Sequence, residues 1–208
     1  DLLGSGLHQM GEVIDWHVDF KTGAGWDPIL PSKLQPRTLP DPGSDIKVPW
    51  ELSRFQHLPT LGKAYWLTNR QEYAREFVDQ FVDWHHKNPP EYGVNWMCTM
   101  DVAIRAVNLI WAFHFFRDAD VFSDDVCSRF LCAMEEHGRF ICGNLEYGYS
   151  GGQVVTSNHF LADILGLVYL GLSFPEFKDS GKWRRIGIAG LLQSMDQQVL
   201  SDGSNFES

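Results

Sequence analysis

The sequence predicts an all-α fold, an incomplete α/α toroid of antiparallel helical hairpins behind an irregular Pro/Gly-rich N-terminal segment. Three observations lead there. Pro28, Pro31, Pro36, Pro40, Pro42 and Pro49 crowd one stretch, where missing N–H donors leave no room for a helix. After Pro49 apolar residues recur at helical spacing and strand-like alternation is scarce. The successive helices also differ in kind, apolar nearly all round or charged on one face, as expected of an inner and an outer layer. An ordinary helical bundle is the alternative. The division that follows is an N-terminal wrap over residues 1–49 and a toroid over 50–208.

Six helices are expected. The first runs from about Trp50 to Leu67, interrupted at Pro59. The second, Arg70 to Lys87, turns Phe77, Phe81 and Trp84 inward and Glu76, Asp79 and Asp83 outward, and Asn88-Pro89-Pro90 ends it. The third, Met97 to Phe116, contains the apolar run Leu109-Ile110-Trp111-Ala112-Phe113. The fourth starts at Ser123, an N-cap followed by Asp124 and Asp125, whose carboxylates favour the helix dipole. The fifth runs from Asn158 to about Leu172, and the sixth from Ser180 to Leu200, closing at Asp202-Gly203. In such hairpins the first, third and fifth helices begin at one end. The long loops 41–49, 88–96 and 147–157 therefore gather there with the segment 202–208, which is where a site is to be sought.

With 208 residues the chain holds one sizeable core. Lys+Arg of 17 against Asp+Glu of 27 gives a net charge of −10, which excludes the basic stripe of a nucleic-acid binder or anionic-membrane binder. No apolar run is long enough for a membrane span. Cys98, Cys127, Cys132 and Cys142 form no CxxC pair and read as small buried apolar residues. The histidines of Trp16-His17-Val18-Asp19 and His85-His86 lack a zinc spacing with a third ligand, so no metal and no cofactor are assigned. Asp1 is no initiator, no basic and apolar leader precedes the fold, and both ends read as cut from a longer protein.

Three segments could carry chemistry. Thr156-Ser157-Asn158-His159-Phe160 puts an amide and an imidazole at the start of a buried helix, whose N–H groups and dipole suit a carboxylate ligand. The plainer reading is an N-cap at Ser157 or Asn158 and a core histidine. In the segment entering the third helix, Asn95 could cap and Trp96 could stack on a sugar, or both could anchor a buried loop. Asp101, Arg105 and Asn108, at i, i+4 and i+7, make a polar stripe that is either an Asp101–Arg105 ion pair or a cleft wall.

Taken together, Ile14-Asp15-Trp16-His17-Val18-Asp19-Phe20, Trp50-Glu51-Leu52-Ser53-Arg54-Phe55, Gly93-Val94-Asn95-Trp96, Asp101-Val102-Ala103-Ile104-Arg105, Asn144-Leu145-Glu146, Ser157-Asn158-His159 and Asp202-Gly203 through Glu207 resemble the N-terminal toroid of the heparinase II/III-like polysaccharide lyases. Asp101 stands where that family suggests Glu, which keeps the charge. The resemblance implies β-elimination on a uronate-containing acidic polysaccharide, with a C-terminal β-sandwich domain following the toroid and the cleft between the two. It places the carboxylate-neutralising amide on Asn158 and a catalytic imidazole on His159. Asn95, Trp96, Arg105 and Glu207 become substrate-binding candidates. A tyrosine acid would lie just beyond Ser208, so the 208 residues alone are expected to be inert. A periplasmic or secreted location goes with the resemblance. Against a polyanion the net charge of −10 calls either for local positive charge, for which Arg54 and Arg105 are the candidates, or for a sparsely charged substrate. A toroidal glycoside hydrolase, drawing on Glu51, Asp101, Glu146 or Glu207, and a non-catalytic sugar-binding scaffold are the rivals.

Overall fold

The computed structural model describes all residues except 1, 2, 5, 7, 9, 12, 151, 152 and 206–208. Seven α-helices carry the fold: α1 (Lys47–Ser53), α2 (Leu58–Thr68), α3 (Gln71–Lys87), α4 (Thr99–Phe116), α5 (Asp124–Gly143), α6 (Asn158–Ser173) and α7 (Ser180–Gln198). The single stretch expected from Trp50 to Leu67 is thus two helices. Pro59 begins rather than interrupts, because it sits in the first turn of α2, where an N–H has no helical partner anyway. Pro49 is tolerated inside α1 for the same reason. Phe55, with φ of 57°, turns the chain between them.

α2, α4 and α6 pack side by side, and each turns back into an outer partner, α3, α5 and α7. This is the inner and outer layering of an α/α toroid. Ser123 caps α5 by accepting the Val126 N–H (3.4 Å). The inner helices approach closely because their contacts are small. A Cβ on Gly166 of α6 would lie 2.9 Å from that of Ala103 on α4, and one on Gly62 of α2 would meet the Phe115 ring at 2.5 Å. The core between the layers is aromatic, with Phe77 stacked on Phe116 (4.9 Å) and Phe113 on Phe130 (4.9 Å). No described helix is long and apolar enough to cross a membrane.

Before α1 the chain forms turns and a short 3-10 helix, Ser32–Leu34, and leans on the helices through specific side chains. Buried Trp16 donates to Asp83 (2.8 Å), and the Lys87 ammonium reaches the Ile14 carbonyl (3.1 Å). Buried Asp19 holds the N–H groups of Lys21 and Asp45 (2.8 and 2.9 Å), so the Trp-His-Val-Asp segment is a structural latch. Among the described residues one small β-hairpin interrupts the helical pattern, β1 (Gly148–Ser150) with β2 (Gln153–Val155), antiparallel with Tyr149 opposite Val154. The four cysteines are free. Cys98 is buried as expected, but Cys132 is exposed on the outward face of α5, where no core reaches it.

Candidate active site

The helix starts do gather at one end, and Glu146 joins two of them. Its Oε2 accepts the Met100 N–H at the start of α4 (2.8 Å) and faces Nδ1 of His159 at the start of α6 (3.2 Å). Cys98 Sγ lies 3.8 Å from the same oxygen and 3.9 Å from the same nitrogen. The β1–β2 hairpin folds the chain back so that Ser157 Oγ reaches the Glu146 carbonyl (3.3 Å). From the far side the end of α7 closes in. Gln197 accepts from Thr156, and Gln198 donates to the Ser157 carbonyl (3.1 Å). From the middle of α1, Trp50 donates to the Val94 carbonyl (2.9 Å), tying that short helix to the loop before α4.

At the head of α6 the two plain readings separate. Ser157 is the N-cap, its Oγ accepting the Phe160 N–H (3.2 Å). Asn158 is therefore not needed as a cap. It sits exposed at the first helical position, its Oδ1 on the His159 N–H (2.7 Å) and its Nδ2 without a partner among the described residues. A free amide donor stands at the positive end of the helix dipole, while the His159 and Phe160 N–H groups are already taken. His159 is part-exposed, with Nδ1 held by Glu146. Behind them Asp163 accepts the Glu146 N–H (2.8 Å). Burial pushes its carboxyl up to about 8, against that N–H, which lowers it. Burial and the charges of Asp101 and Glu146 likewise push the Cys98 thiol up.

The other candidates go inward. Asn95 belongs to a short 3-10 helix, Val94–Trp96, and caps nothing. It is buried, and its Nδ2 donates to the Trp16 carbonyl and the Asn88 side chain (both 2.8 Å), tying the N-terminal segment to this loop. Trp96 is 1% exposed, packed edge-on against Phe140 with its N–H on the Asn88 carbonyl, so no face is left for a sugar. Arg105 is fully buried and does not pair with Asp101. Its guanidinium lies over Trp84 (4.3 Å) and Trp96 (5.3 Å) and donates to His137 (2.9 Å) and the Asn95 carbonyl (3.1 Å). Asp101 pairs instead with Arg54 (2.5 Å), which also holds Glu51, while Asn108 donates to the Arg54 carbonyl. Neither arginine offers free charge to a polyanion, because one is sealed in the core and the other is shared by two carboxylates. For the same reason Glu51 and Asp101 do not face each other across a groove. Glu207 lies outside the described residues.

Beside Glu146 opens a cleft of about 270 Å³, bordered by Ser32, Lys33, Met97, Thr99 and Asn144 among others. Exposed Lys33 is the cation at its rim. Sequence reasoning missed Cys98 as a neighbour of His159 and the hairpin that brings Glu146 to it. The Gly151-Gly152 pair between short β-prone stretches was the available signal.

Residues 4–208 match the heparinase II/III N-terminus family. The chain belongs to that family. A heparin-sulfate lyase of Pedobacter heparinus is 31% identical over 171 residues, which cover 80% of this chain and 25% of that protein. One from Bacteroides stercoris is 28% identical over 187 residues, 80% of this chain and 27% of its own length. The crystal structure of the heparan sulfate lyase of Pedobacter heparinus superposes with a TM-score of 0.67 at 30% identity, covering 80% of this chain and 25% of that one. A structure of heparinase III, 20% identical, shares the fold over 94% of this chain and 29% of its own, with a TM-score of 0.66. The chain spans about a quarter of the length of these family members.

Proposed function

We propose that this chain is part of the toroid of a polysaccharide lyase that cleaves a uronate-containing acidic polysaccharide by β-elimination. The observation that carries the reading is the division of labour at the head of α6. Ser157 caps the helix, and Asn158 is left exposed with a free amide beside His159. The C5 proton of a uronate is weakly acidic because the adjacent carboxylate resists a second negative charge. An amide donor at the positive end of a helix dipole, aimed at that carboxylate, stabilises the enolate-like transition state more than the ground state. His159, its Nδ1 held by Glu146, keeps Nε2 available to face the sugar as base or acid. A C-terminal β-sandwich completing the cleft, with a tyrosine that protonates the departing 4-oxygen, belongs to the same proposal. The family match and relatives about four times as long as the matched segment support it.

The test is a product assay on the natural full-length protein with heparan sulfate and with unsulfated polyuronates. Release of 4,5-unsaturated uronate, seen by its near-ultraviolet absorbance, is the expected result. New reducing ends without that absorbance would mean hydrolysis and overturn the reading.

A further inference from the structure

We propose that Cys98, Glu146 and His159 form a binding site for a soft divalent cation, zinc by its donor set. Three different elements deliver one donor atom each: the residue before α4, the loop after α5 and the second residue of α6. Sγ and Oε2 are 3.8 Å apart, Sγ and Nδ1 3.9 Å, and Nδ1 and Oε2 3.2 Å. A tetrahedral zinc with bonds of about 2.3 Å to sulfur and about 2.0–2.2 Å to nitrogen and oxygen would hold its donors roughly 3.6, 3.6 and 3.3 Å apart. The side chains already outline one face of that tetrahedron to within a few tenths of an ångström. Hydrogen bonding explains the set less well, since a thiol is a weak donor and gains little at such separations.

Charge and orientation agree with this. Asp101, 1% exposed and one helical turn from Cys98, shares the single charge of Arg54 with Glu51. Carboxylates thus outnumber cations around Cys98, and a bound divalent ion would offset that excess. The Met100 N–H holds the Glu146 Oε2 in place, as partners of ligating carboxylates do. Thiolate, imidazole and carboxylate together suit zinc, whereas magnesium and calcium take oxygen ligands. Three protein ligands leave a fourth position for water or a substrate oxygen, on the side where Glu146 and His159 are part-exposed. Ligation uses Nδ1 of His159 and leaves Nε2 free, so the site stands whether or not His159 acts on substrate.

The experiment needs no turnover. Tag-free full-length protein is stripped with a chelator and titrated with cobalt(II), then with zinc. The expected result is a thiolate-to-cobalt charge-transfer band with the visible absorption of tetrahedral cobalt, displaced by zinc, and a thermal midpoint that rises with zinc concentration. Cys98→Ser should lose the band and one equivalent of zinc by elemental analysis, while Cys132→Ser, on an exposed thiol, keeps both. X-ray absorption of the wild-type zinc complex, which depends on no variant folding, should count a single sulfur in the shell. Cobalt absorption without the charge-transfer band, a band that survives in Cys98→Ser, or a sulfur-free zinc shell would overturn the proposal. A failed lyase assay would leave these readings unchanged, so the two ideas fall separately.

Discussion

Nε of Arg105 donates to Nε2 of His137 across 2.9 Å, with both side chains completely buried. A donor must meet an acceptor, so His137 is neutral, and its proton sits on Nδ1 and goes to the Ala133 carbonyl (2.6 Å). Burial first, and then the charge of Arg105, hold the imidazole well below its ordinary value of 6.5. Burial also lowers His17, whose Nε2 donates to the Lys87 carbonyl.

His137 therefore stays neutral in the folded chain, and burial makes His17 harder to protonate there, while the unfolded chain takes up protons below about pH 6.5. Their contribution to stability is complete above that pH and is lost as pH falls below it, at up to ~1.4 kcal/mol per pH unit for each. Asp163, raised to about 8, works in the opposite sense over the same range, so the His137 contribution is read as the difference between the wild type and His137→Gln in urea unfolding at pH 7.5 and 5.5. That difference should shrink by about 1.4 kcal/mol at the lower pH. A difference that does not change with pH would mean that the pair is charged or solvated.

Trp96 separates a core role from a sugar-binding one. It is sealed between Arg105, His137 and Phe140. Trp96→Ala should cost about 3–5 kcal/mol in denaturant unfolding, the usual cost of emptying so large a buried site. The KM of the full-length enzyme that remains folded should be unchanged. A raised KM with normal stability would return Trp96 to the cleft.

The layering was legible because apolar runs such as Leu109 to Phe113 and one-faced helices such as α3 carry it in their own spacing. The polar interior was not. An i, i+4 spacing suggests Asp101 with Arg105, as on an exposed helix face. In the structure Arg54 arrives from the end of α1 to take Asp101, and Arg105 turns to His137 on α5. Contacts between elements leave no periodic trace. The same holds for Cys98 and Glu146, which reach His159 only after the hairpin at 148–155 has folded the chain back.

The close approach of α4 and α6 sets the inner layer. Gly166→Ala places a methyl 2.9 Å from Ala103 Cβ, so one helix must shift. The variant should lose about 1–3 kcal/mol despite the better helix propensity of alanine. Combining it with Ala103→Gly should cost less than the sum of the single changes, a coupling that equilibrium unfolding of all four proteins measures.

Ser157 and Asn158 give the sharpest contrast, because adjacent residues should fail in different ways. Ser157→Ala removes the cap on Phe160 and should cost about 0.5–2 kcal/mol of stability. Asn158→Asp should leave thermal stability unchanged or slightly raised, since a carboxylate in the first turn suits the helix dipole. On the proposed chemistry it replaces the amide donor with a like charge facing the substrate carboxylate. Activity of the full-length enzyme should then fall roughly 10²–10³-fold, the usual cost of losing one such donor. The loss should appear chiefly in kcat, because the interaction strengthens as the enolate forms. Normal turnover by a folded Asn158→Asp enzyme would leave Asn158 as an ordinary surface residue and move the carboxylate site elsewhere.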